Sequence, residues 1–203
     1  LSMHTGDAQA ARSFAQVNLD LFSQDLIAII TNAAGCGSGM KEYELLFRDH
    51  PLCEKATHFA SRVQDVSQFL SSIELVPFRP LAKPLRVAYH DACHLAHAQA
   101  ITSAPRKILS QIPGLELCEI PDGEICCGSA GTYNIEQPTI AHTLGETKAK
   151  NIASLNVDVV AMGNIGCMVQ IQNHLEKLQA DGKAIPVLHT IQLLDQAYGN
   201  GII

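Results

Sequence analysis

A chain of 203 residues, 47% of them hydrophobic, has enough apolar material to pack one large core or two small ones. A formal net charge of −6 with only 14 Lys plus Arg excludes nucleic-acid binding and attraction to an anionic membrane surface, and no apolar run reaches the roughly 18 residues of a membrane span. Seven cysteines, an odd number in a chain too large to need disulfide staples, point to a reducing compartment and to metal or redox use.

Residues 1–6 contain no initiating methionine at position 1, which suggests that the chain continues from a longer subunit; with no basic segment leading to a cleavable apolar one, the expected location is the cytoplasm. Between residues 6 and 22, Ala10, Phe14, Val17 and Leu21 recur at helical spacing and predict an amphipathic helix. The apolar run 26–31 reads as a strand buried on both faces of a parallel sheet. A turn of small residues over 32–40 and a helix over 41–48 follow, placing Cys36 at the carboxyl edge of the sheet, where ligands gather in open α/β folds. Residues 63–70 read as a short extended entry into a helix capped by Asp65 or Ser67. Pro77, Pro80 and Pro84 are too many for a helix or central strand and mark 76–84 as a linker.

Beyond the linker the pattern predicts strand 85–89, helix 105–111, strand 115–119, helix 139–155, strand 157–161, helix 168–178 and a short strand 186–188. A last helix follows, with Thr190 as its cap. Pro105 suits the first turn of its helix, and Pro113-Gly114 ends it. The strand, turn and helix around Gly166-Cys167 repeat those around Gly35-Cys36, so the chain reads as an internal duplication. The expected fold is α/β: two duplicated lobes with mainly parallel sheets flanked by helices, and a ligand site at the carboxyl edge of the strands. The expected division is a first lobe at 1–75, truncated at its N-terminus, the linker 76–84, and a second lobe at 85–203.

The chemistry concentrates around Cys126 and Cys127, which Gly128, Ala130 and Gly131 follow. Adjacent cysteines are poorly placed to pair with each other. The glycines allow close backbone approach, and N–H groups exposed in such a turn favour negative charge. Cys93 stands upstream and Cys167 downstream, and four thiolates with few carboxylates nearby suit an iron–sulfur cluster or zinc. Zinc accepts four sulfurs, or three with a histidine, although adjacent zinc ligands are less usual. His90, His94 and His97 flank Cys93 and either tune the thiolates or serve as surface or core residues; His97 and His142 are expected to be the latter. Asn164 either hydrogen-bonds the centre or caps the following helix. Cys53 and Cys118 read as small buried hydrophobes, and Cys36 by itself is expected to bind nothing. No dinucleotide fingerprint, P-loop or nucleophile elbow is present. The Gly35–Gly39 turn is only a weak candidate to hold a phosphate or flavin group.

The spacing resembles the cysteine-rich CCG family: a cysteine, a gap, Cys-Cys-Gly, a second gap, then Cys-x-x-Cys. Asn164-Ile-Gly-Cys167 occupies the last position, with Asn164 replacing its first cysteine. His90-Asp-Ala-Cys-His-Leu95, the motif at 126–133 and that at 164–167 look most similar to the iron–sulfur subunits of glycolate oxidase, also called glycolate dehydrogenase. Lactate-utilisation and heterodisulfide reductase proteins are neighbours. The resemblance implies Cys93, Cys126, Cys127 and Cys167 as metal ligands and Gly128 and Gly131 as cofactor contacts. Cys36, His94 and Asn164 become further ligands or hydrogen-bond donors, with no catalytic residue in this fragment. It implies a 4Fe-4S cluster, with zinc as the alternative, and a flavin on a partner subunit. The implied partners are flavin-containing dehydrogenase subunits and an N-terminal ferredoxin-like domain of the same subunit. The implied role is electron transfer from the oxidation of glycolate to glyoxylate, in the cytoplasm or peripherally at the inner face of the membrane through the complex. Alternatives are a zinc-binding or metal-free module that assembles flavin subunits, and a thiol/disulfide reductase of the heterodisulfide reductase type, which the missing cysteine weakens.

Overall fold

Strand and helix alternate along the computed structural model, which describes residues 1–178 and 184–199, and the strands sort into two parallel sheets. The expected second lobe runs to residue 203, so 179–183 and 200–203 of it lie outside the described residues. The first sheet pairs β1 (Ile29–Thr31) with β2 (Val63–Asp65). The second has the order β4 (Leu115–Glu119), β3 (Leu85–Tyr89), β5 (Val159–Met162), β6 (Val187–His189).

Both faces of the second sheet are covered, which is why β5 is an unbroken apolar run and β3 is apolar apart from the exposed Arg86. Val87 and Tyr89, in register with Val159 and Ala161, pack on Ile108 and Leu109 of α6 (Ser103–Leu109) and on Leu193 and Ala197 of α10 (Thr190–Gly199). Ala88, Val160 and Met162 point the other way, into a core with Ile152 of α8 (Pro138–Ala153) and Ile171 and Leu175 of α9 (Ile165–Leu178). The short helix α7 (Tyr133–Glu136) precedes α8. Pro138 sits in the first turn of α8, where its missing N–H costs nothing.

A separate core forms under the first sheet. Ala15 and Leu19 of α1 (Ala8–Leu21) meet Ile29, Val63, Phe47 beyond α3 (Tyr43–Leu46), and Ala56 and Phe59 of α4 (Cys53–Arg62). The stripe Ala10, Phe14, Val17, Leu21 predicts this helix but not its buried face: Phe14 and Leu21 are 67% and 74% exposed. The helix carries two apolar stripes, and the one with smaller residues allows the closer approach to the core.

Several boundaries differ from expectation. The strand expected at 26–31 spans only Ile29–Thr31, and that at 157–161 shifts to Val159–Met162. The glycine-rich stretch expected as a turn is helical, because α2 spans Ala34–Lys41, and α9 begins at Ile165 rather than 168. Glycine costs a helix about 1 kcal/mol each, and tertiary packing offsets it here. A side chain at Gly37 would collide with Thr31 Oγ1 and crowd Gln99, so α2 lies directly against β1 and the turn following β3. Asp65 is the cap of α5 (Val66–Ser71), its Oδ1 accepting from Ser67 N at 2.8 Å. Thr190 is not a cap. Its hydroxyl is buried without a partner inside the first turn of α10, and His189 Nδ1 accepts from Ile191 N instead.

The duplication shows in the register. β1 and α2 correspond to β5 and α9 at the offset that aligns Gly35-Cys36 with Gly166-Cys167, and the pair Ile29↔Val63 corresponds to Val160↔Val187. Residues 74–81 form neither helix nor strand. Most of them are exposed, but Phe78 is buried and stacks on Tyr198 with ring centroids 4.2 Å apart.

Candidate metal centre

The chain lays down β3, adds β4 on one side and then crosses to add β5 on the other. The carboxyl ends beside β3 are therefore a topological switch point, where open parallel sheets leave a crevice. Three segments converge there: His90–Cys93 leaving β3, the Cys126-Cys127-Gly128 turn that follows β4, and Gly163–Cys167 leaving β5.

His90 N donates to Ala161 O at 2.9 Å, continuing the β3–β5 ladder by one residue and fixing where the imidazole begins. Asp91 is held by Arg106, whose Nη1 and Nη2 donate to its two carboxylate oxygens at 2.8 and 2.6 Å. The same guanidinium binds Glu119 at 2.9 and 2.8 Å and lies 5.0 Å from the Tyr89 ring centroid. Cys93 leads into a π-helical turn, His94–Ala98, and its sulfur is 3.5 Å from His94 Nδ1.

The Cys-Cys-Gly turn depends on Gly128. Its φ of 88° is in the left-handed region, and a Cβ there would run into the backbone of Ala141 on α8. In that conformation Gly128 N donates to Cys126 Sγ at 3.3 Å. Lys148 of α8 is 2% exposed, and its Nζ donates to Asp122 O at 2.7 Å and Gly123 O at 3.1 Å, pinning the loop before the cysteines. Burial lowers the Lys148 pKa, opposed by the charges of Cys127 and Glu124.

Cys167 is in the first turn of α9. Asn164, just before that helix, does not spend its side chain on capping: Nδ2 donates to Cys167 Sγ at 3.3 Å and Oδ1 accepts from Gly35 N at 3.3 Å. It thus ties a sulfur of the centre to the first turn of α2.

Cys93, Cys126, Cys127 and Cys167 form one linked set. Hydrogen bonds from Cys127 and Cys93, with the Gly128 N–H, hold the Cys126 thiol well below its ordinary range. A hydrogen bond from Cys127, helped by His90 and Asn164, lowers Cys167 against its burial. The neighbouring Cys126 sulfur pushes Cys93 up, and the sulfurs of Cys126 and Cys167 with burial push Cys127 up.

His90 stands among them. The residue is 1% exposed, and a ring nitrogen lies within 4.8 Å of both Cys127 Sγ and Cys167 Sγ, which are themselves within 4.8 Å of each other. It rests against Cys167 without the geometry of a hydrogen bond, and neither ring nitrogen has a partner.

Of the residues expected at the site, the four thiols and Asn164 come together, with His94 at the rim on Cys93. Cys36 is exposed on α2, outside the group able to hold a metal among the described residues. Gly131, with φ 56°, abuts the His4 ring. Cys118 is buried on β4, accepting from Arg86 Nη2 at 3.6 Å, and Cys53 opens α4; neither belongs to the set. His97 is exposed in the π-helical turn, and His142 is exposed with its ring 4.9 Å from that of His174.

Sequence reasoning placed His90 no higher than its neighbours and missed Arg106 and Lys148. Lys148 had a signal: it falls on the stripe Ala141, Gly145, Lys148, Ile152, which is otherwise small or apolar, where a lysine needs a reason. Arg106 had none, since its two carboxylates come from different strand ends.

Residues 87–172 match the cysteine-rich CCG domain family. The whole chain is similar to the "Probable glycolate oxidase iron-sulfur subunit" of Bacillus subtilis, 31% identical over 97% of this chain and 45% of the relative. It is 38% identical to one subunit of the CoM/CoB fumarate reductase of Methanothermobacter marburgensis over 85% of this chain and 32% of the relative. It is 29% identical to "Lactate utilization protein A" of Shouchella clausii over 96% of this chain and 80% of that protein. The chain thus spans less than half the length of the first two relatives and most of the third.

The donors gathered here fit a soft metal or an iron–sulfur centre. They offer four sulfurs, backbone and amide N–H groups already aimed at two of them, and a buried imidazole with no partner. Bound there, an iron–sulfur cluster would supply reversible electron acceptance.

Proposed function

We propose that this chain is the cysteine-rich module of an iron–sulfur electron-transfer subunit in a flavin-dependent 2-hydroxy-acid dehydrogenase complex, with glycolate as substrate class. The observation that carries the reading is the convergence of Cys93, Cys126, Cys127 and Cys167 at the switch point of the segment that matches the CCG family. In this reading the four cysteines ligate a 4Fe-4S cluster, and Gly128 and Asn164 donate to two of the sulfurs. Flavin and hydroxy acid belong to partner subunits, and a ferredoxin-like segment belongs to the same polypeptide. The lobes are 1–75 and 85–203, joined by 76–84. No described helix is long and apolar enough to cross a membrane; the proposed place of work is the cytoplasm, reaching the membrane surface only through the complex. The thiol/disulfide reductase reading is not carried forward, because Asn164 occupies the position of the fifth cysteine and is engaged in bonds of its own.

A zinc-binding structural module is the second reading, favoured by the close mutual spacing of His90, Cys127 and Cys167. Anaerobic reconstitution with iron and sulfide, followed by iron, sulfide and zinc analysis and electron paramagnetic resonance, separates the two. Stoichiometric iron and sulfide, lost in Cys127→Ala, are expected. Tightly held zinc that iron does not displace would establish the second reading instead.

A further inference from the structure

We infer that His90 is a nitrogen ligand of this centre, so that its buried half is His90, Cys127 and Cys167, completed by the outer sulfurs of Cys126 or Cys93. The inference rests on the reading that these thiols hold a metal, and adds to it a ligand outside the four-cysteine set.

Burial comes first. An imidazole that is 1% exposed and makes no hydrogen bond through either nitrogen is costly in a folded protein, because its polar atoms lose water without replacement. Most buried polar groups are matched, so an unmatched one beside two cysteine sulfurs points to a partner that binds there. Metal ligation supplies that partner.

Placement is the second argument. His90 is not on a free loop: its N–H continues the sheet ladder to Ala161 O, and the next residue is clamped by Arg106 through two bonds to Asp91. The ring is therefore delivered to the sulfurs by rigid elements on both sides. His94, adjacent in sequence to Cys93, meets only the rim sulfur at 3.5 Å.

Distance is the third. Ligands of one tetrahedral ion stand about 3.5–3.8 Å apart when metal–sulfur and metal–nitrogen bonds have their usual lengths. The His90 nitrogen, Cys127 Sγ and Cys167 Sγ are all within 4.8 Å of one another, so a small adjustment lets them share one zinc ion or bind adjoining irons of one cluster. Charge agrees, since a neutral imidazole adds a donor without adding another anion to a crowded sulfur pocket. An imidazole in place of a thiolate also raises the potential of an iron–sulfur centre.

The test uses the chain reconstituted anaerobically with iron and sulfide, with histidine nitrogen isotopically labelled, and compares the parent with His90→Ala, His90→Cys and His94→Ala. Pulsed electron paramagnetic resonance of the reduced protein is expected to show a directly bonded histidine nitrogen in the parent and in His94→Ala, lost in both His90 variants. His90→Cys is expected to keep its iron with a lower midpoint potential, which also guards against a His90→Ala variant that fails to fold. An iron-loaded parent without that coupling, or coupling that survives in His90→Cys, overturns the inference and leaves the iron–sulfur reading standing. If the parent takes zinc in place of iron, X-ray absorption showing one nitrogen ligand that disappears in His90→Cys upholds the inference while the iron–sulfur reading falls. An all-sulfur zinc shell, or no metal of either kind, overturns the inference.

Discussion

Gly128 joins two requirements that no other residue type meets together. Its left-handed backbone aims an N–H at Cys126 Sγ, and its missing side chain lets the turn rest on the backbone of Ala141. Gly128→Ala should therefore lower the stability of the metal-free chain by about 2 kcal/mol or more, the sum of a strained φ and a backbone clash. Urea denaturation followed by circular dichroism checks this, and an unchanged midpoint would mean that α8 can retreat without cost. Asn164 likewise combines two tasks, donating to Cys167 and accepting from Gly35 N. A cysteine at that position would keep the sulfur chemistry but lose the carbonyl oxygen that the first turn of α2 uses. The replacement that looks in sequence like a lost ligand is in three dimensions a tie between two halves of the chain.

At the scale of elements, the loop leaving β3 is set by Arg106 of α6, which reaches Asp91 and Glu119 at the ends of two neighbouring strands. The guanidinium also holds the Glu119 carboxyl below its ordinary value. A carboxylate depressed in the folded state stabilises the protein above its unfolded pKa of about 4.3, and that contribution is lost as pH falls through the lower folded value. Arg106→Ala should thus cost about 1–3 kcal/mol at neutral pH. The part due to Glu119 is small because that side chain is 68% exposed and solvent-screened. The gap between variant and parent should narrow below about pH 4. Denaturant titrations of both proteins at neutral and acidic pH measure it; a gap that widens in acid would contradict the assignment. Release of the loop should also lower metal occupancy, since His90 and Cys93 flank Asp91.

For the whole molecule, the two sheets are separate but their surroundings are not. Ala34 N donates to Gly163 O, His189 Nε2 meets Asn32 O at 2.7 Å, Lys107 Nζ donates to Ser71 O, and Tyr198 OH to Val76 O. α5 packs on α6 and α10, so the first sheet's last helix belongs to the second sheet's outer layer. The metal-free chain is expected to unfold in a single transition, with far-ultraviolet circular dichroism and tyrosine fluorescence coinciding. Asn164→Ala should lower the stability by about 1–3 kcal/mol, the usual worth of two hydrogen bonds. Two separated transitions in the parent would show that the junction contributes little.

Alternating strands and helices, the repeat around Cys36 and Cys167, and the four thiols that gather at one sheet edge were all legible in the amino-acid sequence. Each is a local pattern: apolar periodicity reports burial, and cysteines beside glycine report a turn with chemistry. Which of two apolar stripes on α1 is buried, that a run of glycines is helical, and that Thr190 is not a cap were decided by packing, because each depends on what a distant segment brings alongside. The same holds for the site. Three histidines flank Cys93 within eight residues of sequence, and only the pairing of β3 with β5 places His90, rather than His94 or His97, against Cys167. Sequence spacing determines which residues a chain has to offer, whereas strand register, set by long-range burial, decides which of them meet.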